Sequence, residues 1–165
     1  MSVTIVQDTR EQAGRHDNIL IGFSQLGIKV VRSKLFVGDY TRLDDMTVCI
    51  DIKQDLGEVY SNLIQQHDRF RAECVRATEN GIRLIILVEQ PGIRTLADVA
   101  KWQNPRAGRY ERQKKRGETD KKPPASSEAL MKSMVTMTAK YGVQWMFCQK
   151  PETAKKICEI LRIEV

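Results

Sequence analysis

Three short stretches of this 165-residue chain carry side chains suited to chemistry: Asp8-Thr9-Arg10-Glu11, Gly38-Asp39-Tyr40 and Ile50-Asp51-Ile52-Lys53. In a strand, alternate residues face the same way. Asp51 and Lys53 therefore share one face, while Ile50 and Ile52 turn to the other and can enter a core. Asp39 lies twelve positions upstream, and a bend at Gly38 would bring it beside Asp51. Two carboxylates at a strand end can hold a hard divalent cation such as Mg²⁺ or Mn²⁺, with the backbone carbonyl of Ile52 as a further oxygen ligand. Such an ion polarises a phosphate and lowers the pKa of bound water. Lys53 can orient that water or offset charge in the transition state. The set fits phosphodiester hydrolysis. Asp-x-Lys alone is a common surface ion pair; the upstream Asp39 on a paired strand is what points to a site.

Asp8, Arg10 and Glu11 follow the first apolar stretch, where the ends of strands in an open α/β sheet collect ligands. Asp8 would lie near the same metal and Glu11 would hold a water or a second ion. The alternative is structural, with Asp8 capping a turn and Arg10 paired to Glu11. The residues leave both open.

These groups need elements to position them. Met1 to Asp8 reads as a first strand. Asp17 to Leu26 suits a helix, with Ile19, Leu20 and Phe23 at helical spacing and Gly27 as its stop. Ile28 to Leu35, Phe36 to Leu43 and Met46 to Lys53 read as three strands, with Gly38 interrupting the second and Asp44-Asp45 turning the chain. Asp55 to Thr78 predicts one long helix capped by Asp55, with Leu56, Val59, Tyr60, Leu63, Ile64, Phe70 and Cys74 near one face. Leu84 to Val88 is a continuous apolar run suited to a strand buried on both sides. Ser126 to Tyr141 predicts a helix, Val143 to Cys148 a strand, and Glu152 to Leu161 a last helix with Pro151 ahead of it. The order is that of an α/β chain with a mixed sheet, read as a single domain over residues 1–165.

Charge is unevenly placed. The net charge is +6, and residues 101–125 hold nine Lys or Arg against three Asp or Glu. The rest of the chain is neutral. That basic stretch, punctuated by Pro105, Gly108, Gly117, Pro123 and Pro124, is expected to be a flexible surface loop that meets a polyanion. Arg109, Arg112, Lys114, Lys115 and Arg116 are its candidate DNA-binding residues. Cys49, Cys74, Cys148 and Cys158 have no metal-ligand spacing and are expected to be buried free thiols. No apolar run approaches the ~20 residues of a membrane span, and the start has no signal-peptide pattern. The expected location is the cytoplasm, near the nucleoid, or the nucleus of a eukaryote.

Taken in order, these motifs resemble the nuclease domain of the XPF family, within the PD-(D/E)xK superfamily. The family's Asp-x-Arg-Glu is matched by Asp8 to Glu11, its Gly-Asp-Tyr by Gly38 to Tyr40, and its Glu-Arg-Lys by Asp51-Ile52-Lys53. Arg69 matches the Arg of the following helix, and Trp145, Cys148, Pro151 and Ala154 match the last strand and helix. The resemblance implies a restriction-endonuclease-like three-layer fold, with a central mixed β-sheet flanked by helices. It implies a Mg²⁺- or Mn²⁺-dependent endonuclease acting on branched or flap DNA. Asp8, Glu11, Asp39, Asp51 and Lys53 would form the catalytic set; Asp39, Asp51 and Ile52 would hold metal; Arg10 and Arg69 would touch DNA. It also implies a homodimer or a separate DNA-binding partner protein. Two departures stand out. The family's Glu and Arg are Asp51 and Ile52, which removes a phosphate contact. The tandem helix-hairpin-helix module is not within these residues, so the basic stretch 101–122 is expected to take over part of its phosphate contacts. A non-catalytic DNA-binding pseudo-nuclease is the alternative reading, and a docking module for an acidic protein is a third.

Overall fold

The computed structural model describes residues 3–165; Met1 and Ser2 of the expected first strand lie outside them. Six strands form one sheet: β1 (Thr4–Asp8), β2 (Lys29–Ser33), β3 (Tyr40–Arg42), β4 (Val48–Lys53), β5 (Arg83–Glu89) and β6 (Gln144–Cys148). Their spatial order is β2-β1-β3-β4-β5-β6. The β1–β3 and β3–β4 pairs are antiparallel, while β1–β2, β4–β5 and β5–β6 are parallel. The sheet is thus mixed, with β2 and β6 at its edges.

Helices cover both faces. On one side α1 (Asp17–Gln25) and α6 (Thr153–Ile160) pack Phe23 and Ile157 against Ile5, Ile50, Ile52, Ile85 and Leu87. On the other, α3 (His67–Glu79) and α5 (Ser127–Tyr141) pack Phe70, Cys74, Met134 and Met137 against Cys49, Leu84, Ile86 and Val88. β5 feeds both cores, which is why its sequence is apolar at every position from Leu84 to Val88. The three-layer α/β fold is as expected, and all four cysteines are buried free thiols.

The third strand, expected over Phe36 to Leu43, keeps only Tyr40–Arg42 because Phe36 to Asp39 bend, and two further elements differ from expectation. The long helix over Asp55 to Thr78 is broken into α2 (Leu56–Tyr60), a π turn at Ser61–Gln65, and α3. Its start is as predicted, with Asp55 Oδ1 accepting the Glu58 N–H at 2.8 Å. Gln66 leaves helical geometry at φ −125°, ψ 40°, and the extra residue of the π turn keeps Leu63 and Phe70 in the same core. Second, part of the basic stretch read as loop is a helix, α4 (Pro105–Lys115). Asn104 caps it by accepting the Arg106 N–H at 3.0 Å, and Pro105 occupies the first turn, where its missing N–H costs nothing. Arg, Gln, Glu and Lys then fill its body, all good helix formers.

Candidate active site

β4 sorts its side chains as its alternation requires. Ile50 and Ile52 enter the α1–α6 core, leaving Asp51 and Lys53 on the α3 side, both nearly buried. Asp39 joins them through the bend before β3. Gly38 takes φ +73°, and a Cβ there would stand 2.9 Å from the Ile50 carbonyl oxygen, so only glycine fits. The bend lets the Asp39 N–H donate to Ile50 O at 2.7 Å, while Asp39 O accepts the Asp8 N–H at 2.8 Å. Residue 39 is thereby fixed between the ends of β1 and β4.

The three side chains line one open cleft of about 620 Å³ together with Asp8, Arg10, Glu11 and Arg69. Asp39 Oδ2 accepts the Ile52 N–H at 2.7 Å. Strand geometry points the Ile52 carbonyl to the same edge as its N–H. Lys53 Nζ lies 2.7 Å from Asp51 Oδ2. Lys53 is the close partner of that buried oxygen. Burial works against the Lys53 charge, but Asp51, with Glu73 and Glu58 beyond it, outweighs burial and holds the ammonium above its ordinary range. Burial, and then the Asp51 charge, push the Asp39 carboxyl well above the usual carboxylate range. The Ile52 N–H opposes that shift.

Asp39 therefore sits buried beside another carboxylate, and no side-chain cation bonds it among the described residues. One ligand atom each from Glu11, His16 and Asp39 lie within 4.8 Å of one another. The clustered Glu11 and Asp39 carboxylates, the Asp51 carboxylate whose charge Asp39 feels and a carbonyl at the same edge form an oxygen-rich set that suits a hard divalent cation. Those donors fit the Mg²⁺ or Mn²⁺ that the sequence resemblance implies.

The other expected residues divide. Asp8 is fully engaged: Oδ1 accepts the Leu35 N–H at 2.9 Å, and Oδ2 accepts from Arg10 Nε at 2.8 Å. Arg10 thus pairs with Asp8, not with Glu11 as the structural alternative had it; Glu11 faces Arg15 Nε at 3.6 Å. Arg69 lines the cleft from α3. Arg109, Arg112, Lys114, Lys115 and Arg116 lie outside the cleft lining, on or just after α4, and are exposed. The Ile52 side chain is buried in the opposite core, so a side chain at position 52 faces away from the cleft. An arginine there would not supply the phosphate contact that the family pattern suggested.

Several cleft residues were not singled out from the sequence. Glu73 accepts the Gly38 N–H at 3.2 Å, and burial, then the Asp51 charge, raise its pKa. Arg76 lies one turn further along α3. The spacing of Arg69, Glu73 and Arg76 on one helical face was the available signal. His16 is buried at the start of α1, with Nδ1 2.9 Å from the Tyr40 hydroxyl and Nε2 3.9 Å from Glu11 Oε1. Burial lowers its pKa. A lone histidine ahead of a helix gave no signal.

A family model described as the ERCC4 domain matches residues 7–160. Two solved structures are similar in fold. XPF from Aeropyrum pernix has a TM-score of 0.60 at 21% identity, covering 96% of this chain and 64% of that one. XPF from Aeropyrum pernix in complex with DNA has a TM-score of 0.63 at 21% identity, covering 97% of this chain and 64% of that one. The chain thus spans 64% of the length of these archaeal chains. No curated protein matches the sequence. Among the described residues, no helix is long and apolar enough to cross a membrane.

Proposed function

The chain belongs to the ERCC4-domain family, and from that premise we propose that it is a Mg²⁺- or Mn²⁺-dependent DNA endonuclease. The observation that carries the reading is the burial of Asp39, Asp51 and Lys53 at the floor of one open cleft. Burying three charged groups costs stability unless a partner or ligand offsets it. Branched or flap DNA is the proposed substrate, and one of the solved XPF structures similar in fold has DNA bound.

Asp39, Asp51 and the Ile52 carbonyl would hold the metal, which when bound supplies charge stabilisation at the phosphate and a more acidic water. Lys53 stays charged through its pairing with Asp51. Its ammonium can hydrogen-bond the attacking water or a non-bridging phosphate oxygen as negative charge grows there. Glu11 carries a carboxylate next to Asp39 and can accept the proton of that water. Asp8 acts as a positioning residue, because both its oxygens hold the Leu35–Asp39 segment and Arg10 in place. Arg10 and Arg69 offer positive charge to the DNA strand. The cell compartment proposed is wherever that DNA lies, bacterial nucleoid or eukaryotic nucleus. A dimer or a DNA-binding partner protein would complete the grip on a branch.

The test is a cleavage panel: end-labelled duplex, flap and junction DNAs with Mn²⁺ or Mg²⁺, and with chelator. Metal-dependent cutting should fall about 100-fold or more in Asp51→Ala and in Lys53→Ala, the loss typical of a charge-stabilising group. Cutting equal to wild type in both variants, or no cutting of any DNA by the wild type, would overturn the reading.

A further inference from the structure

Phe36 is 63% exposed, the most exposed of the large hydrophobic side chains among the described residues and the only aromatic among the exposed ones. Single exposed apolar residues are ordinary; the setting of this one is not. Its neighbours Leu35 and Val37 are 3% and 1% exposed and anchor the segment on both sides. Side chains hold the backbone around it. Asp8 Oδ1 accepts the Leu35 N–H, Arg10 Nη2 donates to Leu35 O at 2.8 Å, Arg76 Nε donates to Phe36 O at 2.9 Å, and Glu73 accepts the Gly38 N–H. The ring is therefore carried outward on a fixed backbone.

Asp8, Arg10, Glu73 and Arg76, which hold this segment, all line the cleft. Arg10 on the Leu35 carbonyl and Arg76 on the Phe36 carbonyl flank the backbone at Phe36, and Lys34, two residues before it, is also exposed. Only Val37 and Gly38 separate it from Asp39, three Cα steps that span at most about 11 Å. A phosphate beside Asp39 and a base at Phe36 would thus belong to the same or adjoining nucleotides. An aromatic face flanked by cations suits a polyanion that carries π faces better than it suits an apolar protein surface.

We propose that Phe36 is a base-stacking residue, taking the face of an unpaired nucleotide next to the phosphate held in the cleft. The proposal rests on the nuclease reading for its ligand, DNA, but not on cleavage. A base inside a duplex has both faces covered by its neighbours. The ring therefore selects DNA with a single-stranded, frayed or flipped nucleotide beside the reacting phosphate.

The test uses the full chain with Ca²⁺ in place of Mg²⁺, so that binding is read without cutting. The probes are a blunt duplex and a flap DNA bearing 2-aminopurine at its first unpaired position. Phe36→Ala should weaken flap binding about 5- to 100-fold, the range for one stacked base, and leave duplex binding unchanged. Phe36→Trp should keep the flap affinity and the 2-aminopurine signal seen with wild type, and thermal melts of both variants should match wild type. Equal flap affinity in Phe36→Ala overturns the proposal even if wild type cuts DNA. So does a wild type that binds neither DNA. A Phe36→Ala protein that binds flap DNA normally but changes its sedimentation from dimer to monomer would assign the ring to a protein contact instead. Flap binding that depends on Phe36 without any Mn²⁺-dependent cutting would leave stacking standing and remove the nuclease reading.

Discussion

Asp39 is held at a cost that the site itself reveals. Burial and the Asp51 charge raise its pKa above that of the unfolded chain, so the folded state binds its proton more tightly. A raised carboxyl pKa means that ionised Asp39 destabilises the fold, fully so at pH above the folded pKa. The cost fades as pH falls through that value and is gone below the unfolded pKa, near 3.9. Asp39→Asn keeps an oxygen for the Ile52 N–H and removes the charge. It should raise the melting temperature at pH 8, by about 2–4 °C for each kcal/mol relieved, with the gain shrinking toward pH 4. A lower melting temperature for the variant at pH 8 would show that Asp39 is not strained by its charge. The same experiment reports on metal. Mn²⁺ should raise the melting temperature of the wild type by mass action and leave Asp39→Asn nearly unmoved, whereas equal gains in both would place the ion elsewhere.

At the scale of elements, the bend before β3 decides whether these side chains meet. Gly38→Ala must accommodate φ +73° and a Cβ 2.9 Å from the Ile50 carbonyl, which is backbone and cannot swing aside. It should cost about 1–3 kcal/mol and lower activity as well, since residue 39 leaves its place between β1 and β4. A stability loss within that range with full activity would show that the bend is structural only. Much of this arrangement was legible in the sequence because it follows from alternation: Ile50 and Ile52 had to face a core, so Asp51 and Lys53 had to share the other side. The break at Gln66 was not legible. Leu56, Val59, Tyr60, Leu63, Phe70 and Cys74 form a stripe that an unbroken helix satisfies equally well, and nothing local marks the π turn. Helix α4 was hidden for the opposite reason. Asn104, Pro105 and the run of Arg, Gln, Glu and Lys are proper helix signals, but Gly108 and the density of charge read as loop. Glu73 and Arg76 were marked only by sharing a helical face with Arg69, and His16 reaches the site through tertiary packing, which no spacing along one element can report.

For the molecule as a whole, the question is how a neutral body and one basic arm share a polyanion. Helix α4 buries no residue, and eleven residues alone make a marginal helix in water. Arg106 is what ties it to the body: its guanidinium lies 4.7 Å from the Tyr60 ring centre and donates to Ser61 Oγ at 2.9 Å. That anchor sits on α2 and the π turn after it, which contribute Glu58 and Asn62 to the cleft, so DNA held by the arm would lie within reach of the site. If Arg109, Arg112, Lys114 and Lys115 each neutralise a phosphate, replacing all four by Ala should reduce the slope of log Kobs against log salt by about 3 to 4 on duplex DNA. Because those side chains are exposed, the melting temperature should stay within a degree or two of wild type. Cleavage of saturating substrate should persist, since Asp39, Asp51 and Lys53 are untouched, and the loss should appear in KM. An unchanged salt slope would mean the arm does not reach the backbone of the DNA. A fall in kcat with KM unchanged would mean that the arm helps assemble the cleft, and its charge would then need another explanation than phosphate contact.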